Sequence, residues 1–317
     1  MKHLLTTALI IAIAATLAIT TASGQVARAP AASCESLASL ALPNVTITAA
    51  RRVDAGAFLP PVPAGGRPPS AAAARMYGAL PAFCRVTATL TPSSDSDIKM
   101  EVWMPAADWN GKLQVVGNGA FTGSIRYGSS RSLASALGRG YAASSTDTGH
   151  VGGSARFGLG HPEKVIDFGW RSVHEMTVTA KQIITAYYDD GPRFSYWNGC
   201  SAGGRQAMKE AQRFPEDFDG IIAGAPGLDW TGRAAAALRV AKPLEANAAA
   251  RLSSDAARLV HAAVLEACDA SDGVTDGLVG DPERCAFDPG VLQCTGAEDA
   301  SCLTPAQVST VRMLYSS

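Results

Sequence analysis

Gly199-Cys200-Ser201-Ala202-Gly203 places a glycine two residues to either side of a serine. That spacing suits a sharp strand-to-helix turn. The turn holds the serine at strained backbone angles with Oγ raised above a sheet, and the glycines let neighbouring elements approach closely. The chemistry it serves is nucleophilic. Ser201 attacks a carbonyl carbon, and the N–H of Ala202, at the helix start, stabilises the oxyanion that forms. A serine used this way needs a base to take its proton and an acid to orient that base. The only histidine after Ser201 is His261, in an Ala- and Leu-rich helical stretch that also holds Asp255.

The flanking residues supply the elements the turn requires. Arg193 to Asn198 favours extended backbone, and Gly204 to Phe214 carries Ala207, Met208 and Ala211 at helical spacing before Pro215. Upstream, strands are expected over 44–50, 84–91, 98–104, 112–116 and 141–145, with a further buried strand over 220–223. In the third of these, Ile98, Met100, Val102 and Met104 alternate with Lys99, Glu101 and Trp103, the pattern of a half-buried strand. Trp170 to Asp189 is a helix whose stripe is Val173, Met176, Ala180, Ile183, Ile184 and Tyr187. His174 lies one position off that stripe and reads as a core or rim residue. Strands alternating with helices imply a mainly parallel sheet covered on both faces, and with the serine turn they imply an α/β-hydrolase fold. That fold runs serine, acid, histidine in chain order. Asp147 and His150 precede the serine, so their loop reads as structural or pocket-lining.

Composition narrows the field. With 317 residues, 47% hydrophobic and 17% charged, the chain has ample material for a core. Its net charge of -1 gives no reason to expect nucleic acid or an anionic membrane as partner. Residues 1–24 read as a secretory signal peptide: Lys2 and His3 precede an apolar run from Leu4 to Ile19, and Ala22-Ser23-Gly24 offers small residues for cleavage. No later stretch is long and apolar enough to span a bilayer. The mature chain is expected to be secreted or periplasmic, where disulfides form. Seven cysteines is an odd number. Residues 25–227 carry the strand and helix rhythm. From 228 to 317, Ala-rich helical patterns replace it. Within that part, Cys268-Asp269-Ala270-Ser271-Asp272-Gly273-Val274-Thr275-Asp276-Gly277-Leu278 is an oxygen-rich loop that suits either a hard cation or plain Asp-Gly turns.

Trp197-Asn198-Gly199-Cys200-Ser201-Ala202-Gly203-Gly204-Arg205-Gln206, followed by the run from Ala211-Gln212-Arg213-Phe214-Pro215 to Gly224-Ala225-Pro226, resembles the tannase and feruloyl esterase family. The resemblance implies an α/β-hydrolase core with an inserted disulfide-rich lid that begins near residue 228. It implies a second oxyanion N–H from the loop Gly117 to Gly123, with Gly119 the choice. It also implies a structural Ca²⁺ held by the carboxylates of Asp269, Asp272 and Asp276 and the carbonyls of Val274 and Leu278. The bridges it implies are Cys34–Cys84, Cys268–Cys285 and Cys294–Cys302.

One family hallmark is half present. Cys200 directly precedes the serine, but its partner, a cysteine directly after the catalytic histidine, is missing, since the chain contains no His-Cys dipeptide. The fold is therefore expected to be incomplete at its C-terminal end, with the catalytic Asp and His, and the partner of Cys200, lying past residue 317. Three readings stand at this level. One is an exported esterase acting on small esters of hydroxybenzoic or hydroxycinnamic acids, without a membrane or nucleic-acid partner. The second is an inactive fragment that folds locally and binds calcium. The third is a generic carboxylesterase, against which Cys200 and the cysteine-rich second part argue.

Overall fold

Residues 29–62 and 68–316 are described by a computed structural model. The signal peptide assigned to residues 1–24 lies outside the described residues. The chain divides into two units, one running to Gly227 and the other from Leu228 onward.

In the first unit, seven strands form one sheet: β1 (Val45–Val53), β2 (Phe83–Leu90), β3 (Ile98–Pro105), β4 (Lys112–Val116), β5 (Ala142–Thr146), β6 (Phe194–Cys200) and β7 (Gly220–Gly224). Their order across the sheet is β1-β2-β3-β5-β4-β6-β7. Strands β5, β4, β6 and β7 pair in parallel, joined by helical crossovers. Strands β1, β2 and β3 pair antiparallel with one another, and β3 pairs antiparallel with β5. The parallel half carries the serine turn. The helices of this unit are α1 (Ala71–Gly78), α2 (Leu133–Leu137), α3 (Pro162–Ile166), α4 (Ser172–Tyr188) and α5 (Ala202–Arg213).

The sheet separates two apolar cores. One face gathers Ile98, Met100, Val102 and Met104 of β3 with the α4 stripe of Val173, Met176, Ala180, Ile183, Ile184 and Tyr187. Each fully buried aliphatic side chain here contributes about 1.5–3 kcal/mol. The other face gathers Phe58, Tyr77, Phe83 and Trp103 with Leu133 and Leu137. Strand β3 is therefore not half-exposed as its alternation suggests. Its second face is sealed by α1, α2 and Phe58, leaving Trp103 at 0% and Glu101 at 4% exposure. Glu101 can be buried because Arg85 of β2 meets it with two N–H groups.

The bridge Cys34–Cys84 closes a separation of 50 residues and holds the segment before β1 onto the start of β2. In the chain-entropy view a loop of that size contributes about 4 kcal/mol. The second unit is built from α6 (Trp230–Ala246), α7 (Ser254–Cys268) and α8 (Pro305–Tyr315), the last opened by a capping box between Thr304 and Gln307. Its core is small, formed around Ala256, Val260, Leu303, Val308 and Val311. The bridges Cys268–Cys285 and Cys294–Cys302 staple the irregular segment between α7 and α8. No described helix is long and apolar enough to cross a membrane.

Candidate active site

At the end of β6 the chain reverses into α5 through Ser201, whose φ of 61° and ψ of -116° lie where a side chain is strained. Backbone contacts over-determine that conformation. The Ser201 N–H donates to the Gly224 carbonyl at 3.0 Å, and Trp197 Nε1 donates to the Gly203 carbonyl at 3.0 Å. The flanking glycines are sterically required. A Cβ on Gly199 would sit 2.3 Å from the Gly203 oxygen, and one on Gly203 would sit 3.0 Å from the Asn118 oxygen; the next residue, Gly204, is tighter still, 2.3 Å from the Gly224 oxygen. Ser201 is exposed at the turn, whereas Ala202, first residue of α5, is buried. The first N–H groups of a helix have no acceptor within it, so the Ala202 N–H is a ready donor to developing negative charge.

The loop after β4 runs against the start of α5, and a Cβ on Gly117 would lie 2.7 Å from Gly203 Cα. Asn118 is buried and fixed from several sides. Its N–H donates to Gln206 Oε1 at 3.0 Å, and its Oδ1 accepts from Gln206 Nε2 at 3.3 Å. Its Nδ2 donates to the carbonyls of Thr146, at 2.9 Å, and Ser124, at 3.1 Å. Gln206 thus couples the serine helix directly to the loop. Sequence reasoning missed this pair, because a polar residue on an amphipathic helix carries no sign of which backbone it will meet. Gly119 follows the pinned Asn118 and is half-buried. A side chain there would have room, its nearest neighbour being Arg126 Nη1 at 3.7 Å from the added Cβ, so steric need does not explain this glycine.

His150 secures the same loop. Its Nε2 lies 2.7 Å from the Phe121 carbonyl, its Nδ1 lies 3.2 Å from Thr148 Oγ1, and its ring stacks on Phe157 at 3.8 Å. A carbonyl only accepts, so the proton sits on Nε2. With both ring nitrogens so engaged, His150 is a structural residue of the loop wall. Phe121 in turn stacks on Phe168, which lies under the Arg205 guanidinium.

Asp147 Oδ1 accepts from the N–H groups of Lys99 and Gly149. Burial outweighs those bonds and pushes its carboxyl up to about 7. The folded state therefore holds a proton that the unfolded state, with an ordinary Asp near 3.9, has released. Stability is full below about pH 4 and falls as pH rises toward 7, by at most about 1.4 kcal/mol per unit. In Asp147→Asn this part of the slope is expected to vanish, since the amide oxygen still accepts both N–H groups. Urea midpoints measured from pH 4 to 7 check it, and equal slopes in the two proteins would refute it.

The remaining described histidines of the first unit have other partners. His161 meets Asp95 at 3.1 Å, and His174 meets Asp217 at 2.7 Å while stacking on Phe214. In the second unit His261 is exposed on α7, and Asp255 pairs with Arg258 on the same helix. Six residues of helix leave Asp255 and His261 about 120° apart around the axis and about 9 Å apart along it, so they do not form a dyad. Cys200 is half-buried and is the one free cysteine.

The aspartate loop of the second unit folds on its own backbone. Asp269 accepts from the N–H groups of Asp276 and Gly277, Asp272 from Val274, and Asp276 from Leu278. The side chains of Val274 and Leu278 are exposed. Three carboxylates and backbone carbonyls form an all-oxygen set, which fits a hard cation in donor chemistry. Among the described residues these carboxylates are not gathered within 4.8 Å of one another.

A strained serine between a parallel strand and a helix, beside a loop pinned to that helix, has the geometry of a nucleophile elbow on an α/β-hydrolase fold. A model of the family described as tannase and feruloyl esterase matches residues 84–317. An uncharacterized esterase of Xanthomonas campestris pv. campestris is 43% identical over 282 residues, which cover 88% of this chain and 46% of that protein. A probable feruloyl esterase B of Emericella nidulans is 41% identical, over 74% of this chain and 44% of its own length. The crystal structure of feruloyl esterase B from Aspergillus oryzae superposes with a TM-score of 0.73 at 32% identity, covering 89% of this chain and 55% of that one. A tannin acyl hydrolase from Aspergillus niger, at 20% identity and a TM-score of 0.58, shares the fold. The chain belongs to the tannase and feruloyl esterase family of carboxylic ester hydrolases. It spans about half the length of the curated relatives it matches.

Proposed function

We propose that Ser201 is the nucleophile of an exported esterase that cleaves esters of aromatic acids through an acyl-serine intermediate. The observation that carries this reading is the strained Ser201, held exposed by backbone contacts beside the pinned loop. Oγ attacks the ester carbonyl, and the N–H groups of Ala202 and Gly119 receive the oxyanion. The alcohol leaves, and water then releases the acid from the serine. Aromatic substrates are supported by the names of the relatives and by Phe121, which follows Gly119 in the loop and stacks on Phe168 of the helical turn before α4.

The base and its orienting acid are proposed to come from residues outside those described, together with a cysteine that pairs with Cys200. Three disulfides support a secreted or periplasmic setting. The test is hydrolysis of methyl ferulate and methyl gallate. The 317-residue chain alone is expected to show negligible turnover, and a longer form that carries the further Asp and His-Cys is expected to hydrolyse one or both. Equal turnover by the two would overturn this assignment of the base.

In the second unit, Asp269, Asp272 and Asp276, with the carbonyls of Val274 and Leu278, are proposed to hold a structural Ca²⁺ that draws their three carboxylates together and neutralises them. Calcium at millimolar concentration is then expected to raise Tm by several degrees, and a chelator to reverse the rise. Asp272→Asn should abolish the response. An unchanged Tm in the parent protein would count against the site.

A further inference from the structure

Behind the serine helix, three ionisable side chains from separate elements converge: His174 of α4, Glu210 near the end of α5, and Asp217 of the 3-10 turn that follows α5. One ligand atom from each lies within 4.8 Å of the other two. Glu210 is 0% exposed and Asp217 4%, so two carboxyl groups are sealed from water side by side. No donor faces either oxygen of Glu210. The two nearby cations are engaged elsewhere: Lys181 Nζ donates to the main-chain oxygen of Asp217 at 2.6 Å, and the Arg213 guanidinium lies over the Trp170 ring at 4.2 Å. Burial, and then the Asp217 charge, push the Glu210 carboxyl up to about 8. Asp217 Oδ2 already meets His174 Nδ1 at 2.7 Å, but Glu210 has no such partner, and two buried carboxyl groups this close call for a proton or a metal ion beside them.

We propose that His174, Glu210 and Asp217 bind a divalent metal ion, zinc, as a structural site that joins α4, α5 and the turn after α5. One imidazole nitrogen and two carboxylates suit zinc, with bonds of about 2.0–2.2 Å, so two ligands of one ion lie roughly 3–4 Å apart. The observed spacing reaches this with side-chain shifts of about 1 Å. The charge also balances, because a 2+ ion neutralises both carboxylates. His174 is the open side of the site. Its side chain is 24% exposed, which leaves an entry path and room for a water as fourth ligand. Its ring is already oriented by the stack on Phe214 at 3.8 Å. The site lies nine residues along α5 from Ser201, about 13 Å at helical rise, and it stands whether or not the esterase reading does.

The test is zinc titration of the purified chain against a chromophoric chelator, after dialysis to remove bound metal. One equivalent per chain with a Kd in the micromolar range or below is expected. Glu210→Gln and His174→Ala should each weaken it at least tenfold. Cys200→Ser and Asp272→Asn should leave it unchanged, which separates this site from the free thiol and from the aspartate loop. Circular dichroism establishes that each variant is folded. Should Glu210→Gln fail to fold, His174→Ala, at the open side of the site, decides. Absence of binding at millimolar zinc, or an affinity unmoved by both substitutions, would overturn the proposal and leave a shared proton between Glu210 and Asp217.

Discussion

Replacing Ser201 with alanine in the whole protein is expected to lower kcat for aromatic-ester hydrolysis by about 10⁴- to 10⁶-fold, the range lost when a nucleophilic serine is removed from a working triad. KM should change little, because removing one hydroxyl takes little contact area away from a bound ester. Stability should stay within about 0.5 kcal/mol, since alanine keeps the Cβ and therefore the strain at φ 61°. Ser201→Gly separates the two effects. It should be as inactive as the alanine variant yet more stable by about 1 kcal/mol, because glycine occupies positive φ without a Cβ clash. The pair of variants thus measures the stability given up to hold the nucleophile in place. Activity within tenfold of the parent in Ser201→Ala would show that the nucleophile lies elsewhere. A less stable Ser201→Gly would mean that the turn is not strained.

What the sequence reveals about this site is whatever is encoded locally. The serine turn is legible because its glycine spacing is local, and the Gly199 contact with Gly203 lies within it; the demand on Gly204 comes from Gly224, twenty residues on, which the spacing alone does not show. The α4 stripe is legible because 3.6-residue periodicity maps directly onto one buried face. Pairing direction is not written this way. Strands β2 and β3 look much like β4 and β5 as short apolar runs, yet their neighbours are antiparallel, and only the connections decide that. The burial of Trp103 depends on Phe58 and α1, both far away in the chain. The Gln206 and Asn118 clamp spans 88 residues, and the His174, Glu210 and Asp217 cluster joins three elements. Polar contacts of that range arise from tertiary packing and leave no periodic trace.

Arg85→Met is expected to destabilise the first unit strongly, by about 3–5 kcal/mol, because it leaves the Glu101 carboxylate buried without a counter-charge. Glu101 Oε2 accepts from Arg85 Nε and Trp103 Nε1, both at 2.8 Å, and Oε1 accepts from Arg85 Nη2 and from the Tyr127 hydroxyl at 2.7 Å. Arg85 and Glu101 are 6% and 4% exposed, so little water can replace the lost guanidinium. The remaining donors, Trp103 and Tyr127, are neutral and cannot balance the charge. Glu101→Gln in the Arg85→Met background removes that charge while an amide oxygen still accepts from them, so the double variant should recover more than half of the loss. The two changes are in contact and must couple in this way if charge is the cause; simple additivity would point to lost packing instead. Tyr127 belongs to the segment between the pinned loop and α2, so Arg85→Met should also lower kcat in the whole protein by loosening the loop proposed to bind the oxyanion. Urea unfolding of the two single variants and the double variant measures the coupling, and a cost below about 1 kcal/mol for Arg85→Met would show that the ion pair is not what holds β2 and β3 to this loop.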